Sequence, residues 1–179
     1  MNDSQKEKRC TTKILIIILI IITLASIGVS IWVLFFREKP TILAPDYAPH
    51  EIETNAIPIE DDDTSKMDSP SGGGAVSLTY SKEVTIDLSD KKAALMFANP
   101  SKSTQDIVLQ LVIKDTVVIQ SGRLTPRNQV TRLDLLEDTE NLLVEGGYEG
   151  KFVVLYYNQQ SGEKAMVNTE IPVSVNVTA

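Results

Sequence analysis

Residues 14–36 carry no charged side chain, and no other feature limits the fold so tightly. About 23 residues at a helical rise of about 1.5 Å make roughly 35 Å, enough to cross a hydrocarbon core of about 30 Å with some tilt. The β-branched isoleucines are mediocre helix formers in water. In lipid, however, such a segment satisfies its own backbone groups only as a helix. The run therefore predicts one transmembrane helix, with Ile14 at its start and Phe36 at its end. Trp32 suits the membrane–water interface, and Arg37 and Lys39 close the span by reaching toward head groups.

Charge gives the helix a direction. Lys6, Lys8, Arg9 and Lys13 precede it, whereas no basic residue follows Lys39 until Lys66. The excess on the N-terminal side predicts a cytoplasmic leader over residues 1–13 and an extracytoplasmic remainder held at the cell membrane. A cleaved signal peptide is the rival, since Gly28, Val29 and Ser30 offer small residues for cleavage. A secretory apolar region spans about 7–15 residues, though, and here the run continues to Phe36, so a retained anchor is the expectation. Ala25, Ser26, Gly28 and Ser30 are candidates for close helix–helix contact; the simpler reading is ordinary small residues in a membrane helix. Cys10, the only cysteine, is a juxtamembrane acylation candidate or, more simply, an unmodified thiol in a reducing compartment. No cysteine remains for a disulfide or thiolate metal site beyond the span.

Residues 37–74 read as a disordered acidic stalk. Pro40, Pro45, Pro49, Pro58 and Pro70 favour extended backbone, the run Glu60-Asp61-Asp62-Asp63 resists collapse, and Gly72-Gly73-Gly74 makes a joint. The acidic run lacks the turn glycine and distant glutamate of a calcium loop. Tyr47, Ile52, Ile57 and Ile59 are apolar enough to dock on a partner or on a sheet edge as an alternative to a free linker.

Residues 75–179 show a period of two. Val76, Leu78 and Tyr80 alternate with small or polar residues, as do Val84, Ile86 and Leu88. A third strand over 93–98 stops at Asn99-Pro100. Ile107, Leu109, Leu111 and Ile113 line one face of a fourth strand, joined through Lys114-Asp115 to Val117 and Ile119 as a hairpin. Pro126 sits at the second position of a turn before the next strand. Residues 136–143 hold at most a short helical turn. A long terminal hairpin closes the chain, with its turn at 158–162 and Pro172 placed at an edge or bulge. The expected class is all-β, an antiparallel sandwich of about seven or eight strands with Greek-key connections.

The stretch Leu142-Leu143-Val144-Glu145-Gly146-Gly147-Tyr148, ahead of an apolar strand, resembles the tyrosine-corner approach of fibronectin type III and related immunoglobulin-like domains. Asn99-Pro100-Ser101 and Leu124-Thr125-Pro126 are similar in spacing to small Ig-like modules of bacterial envelope proteins. The resemblance implies an Ig-like sandwich over residues 75–179, with Pro126, Gly147 and Tyr148 as fold-defining positions. It implies nothing about function at the level of fold alone. The isoleucine-rich anchor and the scarcity of cysteine and of glycosylation sites point to a bacterial source.

Chemistry is sparse. The only histidine, His50, lies in the stalk, so the outer domain has no imidazole for a Ser-His-Asp triad or a histidine zinc site. Asp134, Glu137, Asp138 and Glu140 are the one carboxylate cluster, read here as a solvated connection and, as an alternative, as an accessory hydrolase of wall polymer. No cofactor, metal or small-molecule substrate is expected, and no basic footprint for nucleic acid is present beyond the leader. Tyr156 and Tyr157 point to opposite sheet faces and are the candidate contact surface. The chain is thus expected to be a non-enzymatic, membrane-anchored binding or assembly module. It would engage lipid through its helix and an envelope protein, or its own copies, through its domain. A pilin-like or secretion-apparatus subunit assembling through its helix is the alternative.

Overall fold

The computed structural model describes Ile16, Gly28 and residues 18–26, 44–60, 65–68 and 73–179. The chain divides into two compact units, Met1–Thr41 and Ile42–Ala179. In the first, Ile16, residues 18–26 and Gly28 are helical, and their side chains are exposed. Thr23 Oγ1 donates to the carbonyls of Leu19 and Ile20, and Ser26 Oγ to that of Ile22, so these hydroxyls are satisfied within their own helix. Among the described residues, no helix is long and apolar enough to cross a membrane. Ile14, Ser30, Trp32 and Phe36 lie outside the described residues.

The second unit is all-β. Its strands are β1 (Ile57–Pro58), β2 (Thr79–Tyr80), β3 (Glu83–Asp87), β4 (Lys92–Asn99), β5 (Gln105–Ile113), β6 (Thr116–Gln120), β7 (Asn128–Asp134), β8 (Gly146–Asn158) and β9 (Lys164–Thr178). A 3₁₀ turn, Thr139–Leu142, is the only helical piece described after β7. The strands form one curled sheet in the order β1-β7-β4-β3-β9-β8-β5-β6, with β2 added on β4. A bridge between Ile119 and Leu135 brings the β6 end back toward β7.

Two expectations about the sheet are corrected. The pairing is mixed: β3 runs parallel to β9, from Glu83 opposite Ser174 to Asp87 opposite Thr178, and antiparallel to β4. The short β3 thereby joins the half of the sheet built on β4 and β7 to the half built on β9, β8 and β5. The strand count also exceeds seven or eight, because β1, two residues inside the expected stalk, is too short to leave a period in the sequence, while β2 keeps only the end of the strand expected at Val76 to Tyr80.

The period of two explains the core. Ile107, Leu109, Leu111, Phe152, Val154, Val173 and Val175 point inward and are buried with Ile86, Phe97 and Val130. Phe97 meets Phe152 edge to face at 5.5 Å and stacks with Tyr80 at 6.1 Å, both favourable aromatic geometries. The opposite face of β5 and β8 is apolar too. Val108, Val112, Val153, Leu155 and Tyr157 form a second buried cluster against Ala44, Ala48 and Val117. That is why β5 and β8 read as near-continuous apolar runs, the pattern of strands covered on both sides.

The turns follow local chemistry. Lys114 and Asp115 both adopt positive φ, 48° and 64°, in the two-residue β5–β6 connection, the handedness a tight hairpin needs. Pro126 occupies its expected turn position, followed by Arg127 at φ 71°, with the Asn128 amide donating to Thr125 Oγ1 at 2.9 Å. Tyr148 Oη donates to the Val144 carbonyl at 3.0 Å and accepts from its N–H at 3.1 Å. Gly147 pairs with Asn176 inside the β8–β9 ladder and has open space around its α-carbon, and the neighbouring Gly146 carries the glycine-favouring φ of 142°. Ser174 N–H donates to Lys82 O on the β3 side. By strand alternation the nitrogen of Pro172 faces that same side, where β9 has no paired neighbour, so the proline costs the ladder nothing.

The largest correction concerns the stalk. Residues 44–60 are not a free linker; they lie on the sheet as a strap. Ala48 N–H donates to Gly162 O at 2.8 Å and Lys164 N–H to Asp46 O at 2.9 Å. Further on, Ile52 bridges Arg123 in parallel, with Glu53 N–H to Arg123 O and Arg123 N–H to Glu51 O both at 3.0 Å. Finally β1 pairs with β7, and Ile59 N–H reaches Arg127 O at 3.0 Å. Unsatisfied strand edges accept such additions whatever the side chains.

Candidate contact site at the terminal hairpin

The β8–β9 hairpin positions the two tyrosines. Leu155 pairs with Asn168 and Tyr157 with Lys164, so β9 holds two more residues than β8 in this interval. This bulge loops Ala165, Met166 and Val167 out of the ladder, and Met166 and Val167 are 102% and 72% exposed. Bulges of this kind end pairing and re-aim side chains. Beside it lies a groove of about 630 Å³, with Val76, Gln105, Tyr156, Asn158, Lys164 and Thr169 among its lining residues.

Tyr156 is half-buried, packs against the inner core and donates its hydroxyl to Thr169 Oγ1 at 2.7 Å. Burial pushes its phenol above the ordinary range, opposed by the Thr169 bond. Tyr157 points the other way, as alternation requires, yet it is fully buried. The strap covers it: its hydroxyl donates to Pro45 O at 3.1 Å, and Ala44 and Ala48 pack on its cluster. Burial, then the charge of Asp46, raises its pKa. Of the two candidate contact residues, only Tyr156 borders open space.

The strap seat contains the residues that sequence reasoning missed. Glu53 is buried, 8% exposed; Oε2 accepts the Gly122 N–H at 2.7 Å and Oε1 the Asn55 N–H at 2.8 Å. A Cβ on Gly122 would stand 2.9 Å from the Glu53 nitrogen, closer than real contacts allow, so this glycine is what lets the strap backbone approach. Asp106 on β5 is buried, accepts from Gln159 Nε2 at 3.0 Å and faces Arg123 Nε at 3.6 Å. Asn99, fully buried, donates to the carbonyls of Gln105 and Leu124, both at 3.0 Å, tying the end of β4 to β5. Nothing in a single sequence marks these polar residues apart from surface ones.

Two of the four clustered carboxylates make ion pairs at the surface. Glu140 meets Lys91 at 2.6 Å, and Asp134 lies 4.0 Å from Lys92. The Lys91 contact holds the Glu140 carboxyl below its usual range and raises the lysine. None of the four acids lines the groove beside Tyr156. Among the described residues, no group of three or more His, Cys, Asp or Glu is placed to hold a metal ion. Ala25, Ser26 and Gly28 are exposed on the helical segment, where a Cβ on Gly28 would meet nothing within 4 Å.

The chain matches no protein-family model and no curated protein. Among solved structures, the major subunit of aggregative adherence fimbriae type I from Escherichia coli aligns at 13% identity with a TM-score of 0.30, over 63% of this chain and 100% of that one. A likeness that distant carries no argument about fold or function.

Proposed function

We propose that this chain is a membrane-anchored, extracytoplasmic binding or assembly module of a bacterial cell envelope, and that it acts without catalysis. The observation that carries the reading is the uncharged run 14–36 behind a basic leader, followed by a compact all-β unit that begins at Ile42. On this reading Ile14, Trp32 and Phe36 belong to the anchor, and the β unit is an Ig-like sandwich. The bonds between Tyr148 and Val144 support that fold, because they match the hydroxyl-to-upstream-backbone contact of a tyrosine corner. The exposed Met166 and Val167 beside the Tyr156 groove are the surface best suited to a protein partner, since adjacent exposed apolar side chains flanked by polar ones favour protein contacts.

Alkaline washing of membranes from cells making the full chain, followed by cross-linking in detergent, tests both halves. The chain is expected to remain in the pellet and to cross-link into a defined larger species that survives high salt. Release into the wash contradicts anchoring, and a strict monomer contradicts assembly. Met166→Asp is expected to weaken the cross-linked species without changing retention in the pellet.

A further inference from the structure

Backbone groups do most of the fastening of the strap; Ile59 is half-buried, and its other large apolar side chains are turned to solvent. Tyr47, Ile52 and Ile57 are 62%, 56% and 47% exposed. The inward contacts are small, Ala44 and Ala48 on the outer cluster and Ala56 on the inner core. The remaining attachments are the hydrogen bonds to Gly162, Lys164, Arg123 and Arg127, the Glu53 carboxylate on Gly122, and the Tyr157 hydroxyl on Pro45. Segments with little apolar burial and exposed backbone bonds open at a lower free energy than the core they lie on.

We propose that residues 44–60 form a releasable strap, a cooperative unit separate from the sheet, which peels off first when the chain is pulled from its N-terminal side. The source of that pull rests on the anchor reading above. Tension between a membrane helix and a held domain reaches Ala44 before any strand of β2 to β9. It loads the bonds of the strap in succession, first at Gly162 and Lys164, next at Arg123 and Gly122, last at Arg127 and β7. Release converts about 17 docked residues into free chain and adds at most about 55–60 Å of reach. It also withdraws Pro45 from Tyr157 and the two alanines from the outer cluster, baring an apolar patch that the docked state hides. The strap thus sets both the stand-off of the domain and the access to its outer face.

Hydrogen exchange on the full chain in detergent tests the proposal, read at the strap amides of Ala48, Glu53 and Ile59 and at the core amides of Leu109 and Val154. In the native chain the strap amides are protected, and rising denaturant strips their protection before that of the core. Gly122→Ala is expected to speed strap exchange at least about tenfold while the core amides hold. Glu53→Ala, on the strap itself, is expected to do the same and serves if the glycine variant fails to fold. Strap and core amides that exchange together, or variants that leave the strap as protected as in the native chain, overturn the proposal. Pulling the full chain by its two ends is expected to show an early low-force extension of no more than about 55–60 Å ahead of domain unfolding; a single rupture overturns it. Anchoring is read separately by the alkaline wash, so a strap that releases first on a chain that washes off contradicts only the anchor.

Discussion

The terminal hairpin and the strap are both extended segments hydrogen-bonded into the same curled sheet, yet they are held by different forces. Along β9, Ile171, Val173, Val175 and Val177 drop one by one into the inner core, and each is buried. Along the strap, Tyr47, Ile52 and Ile57 face solvent, and the buried side chain is a carboxylate. Backbone pairing places a strand; burial of alternate side chains is what makes it costly to remove. The difference teaches that position in a sheet and contribution to its stability are separate properties.

Breaking the hairpin side of this comparison gives the largest effect. Phe152→Ala removes a fully buried ring and its edge contact with Phe97, and is expected to cost about 3–5 kcal/mol in urea unfolding. Tyr148→Phe keeps the ring, with Lys114 Nζ 4.8 Å above it, and loses both bonds to Val144. A loss of about 1 kcal/mol at the β8 entry is expected by the same measurement. Tyr157→Phe sharpens the other side: without the bond to Pro45 O, strap amides near Ala48 are expected to exchange faster while global stability falls by no more than about 0.5–1.5 kcal/mol.

The pH dependence separates the regions further. The phenols of Tyr156 and Tyr157 have raised pKa values in the folded chain, so their neutral forms are favoured there. The stability they contribute is complete below the unfolded tyrosine value of about 10 and is lost as pH rises through the folded values. Phenolate absorbance should therefore develop at higher pH in the folded than in the urea-unfolded chain. Tyr157→Phe should remove the part of that lag owed to the strap. At the small end, Lys91→Ala breaks an exposed pair with Glu140 and is expected to leave both regions unchanged within error in urea unfolding.

The same contrast explains what the sequence made legible. Strands β3, β5, β8 and β9, the Lys114-Asp115 hairpin and the Pro126 turn could be read because alternating burial and turn stereochemistry write themselves into residue choice. The strap was legible only as the alternative of docking at a sheet edge, and the apolar side chains that suggested it, Tyr47, Ile52 and Ile57, are not what holds it. Pro45, Pro49 and Pro58 and its acidic composition describe a linker, and the bonds that dock it use backbone groups that every residue has. Its one sequence trace, Gly122, lies 69 positions from Glu53 and looks like any loop glycine until the strap backbone is placed against it. Likewise, that Tyr156 and Tyr157 face opposite ways was legible from their adjacency. That the outward one is the buried one depends on the strap.

The account stands on the chain having its leader on one side of a membrane and its β unit on the other, and its single cysteine makes that directly measurable. Intact cells carrying either the native chain, with Cys10 alone, or a Cys10→Ser, Ser161→Cys chain, with one thiol at the exposed β8–β9 turn, are treated with a membrane-impermeant thiol reagent. The account predicts labelling at position 161 on intact cells and at Cys10 only after permeabilisation. Labelling of Cys10 on intact cells, with position 161 protected until they are opened, would contradict it.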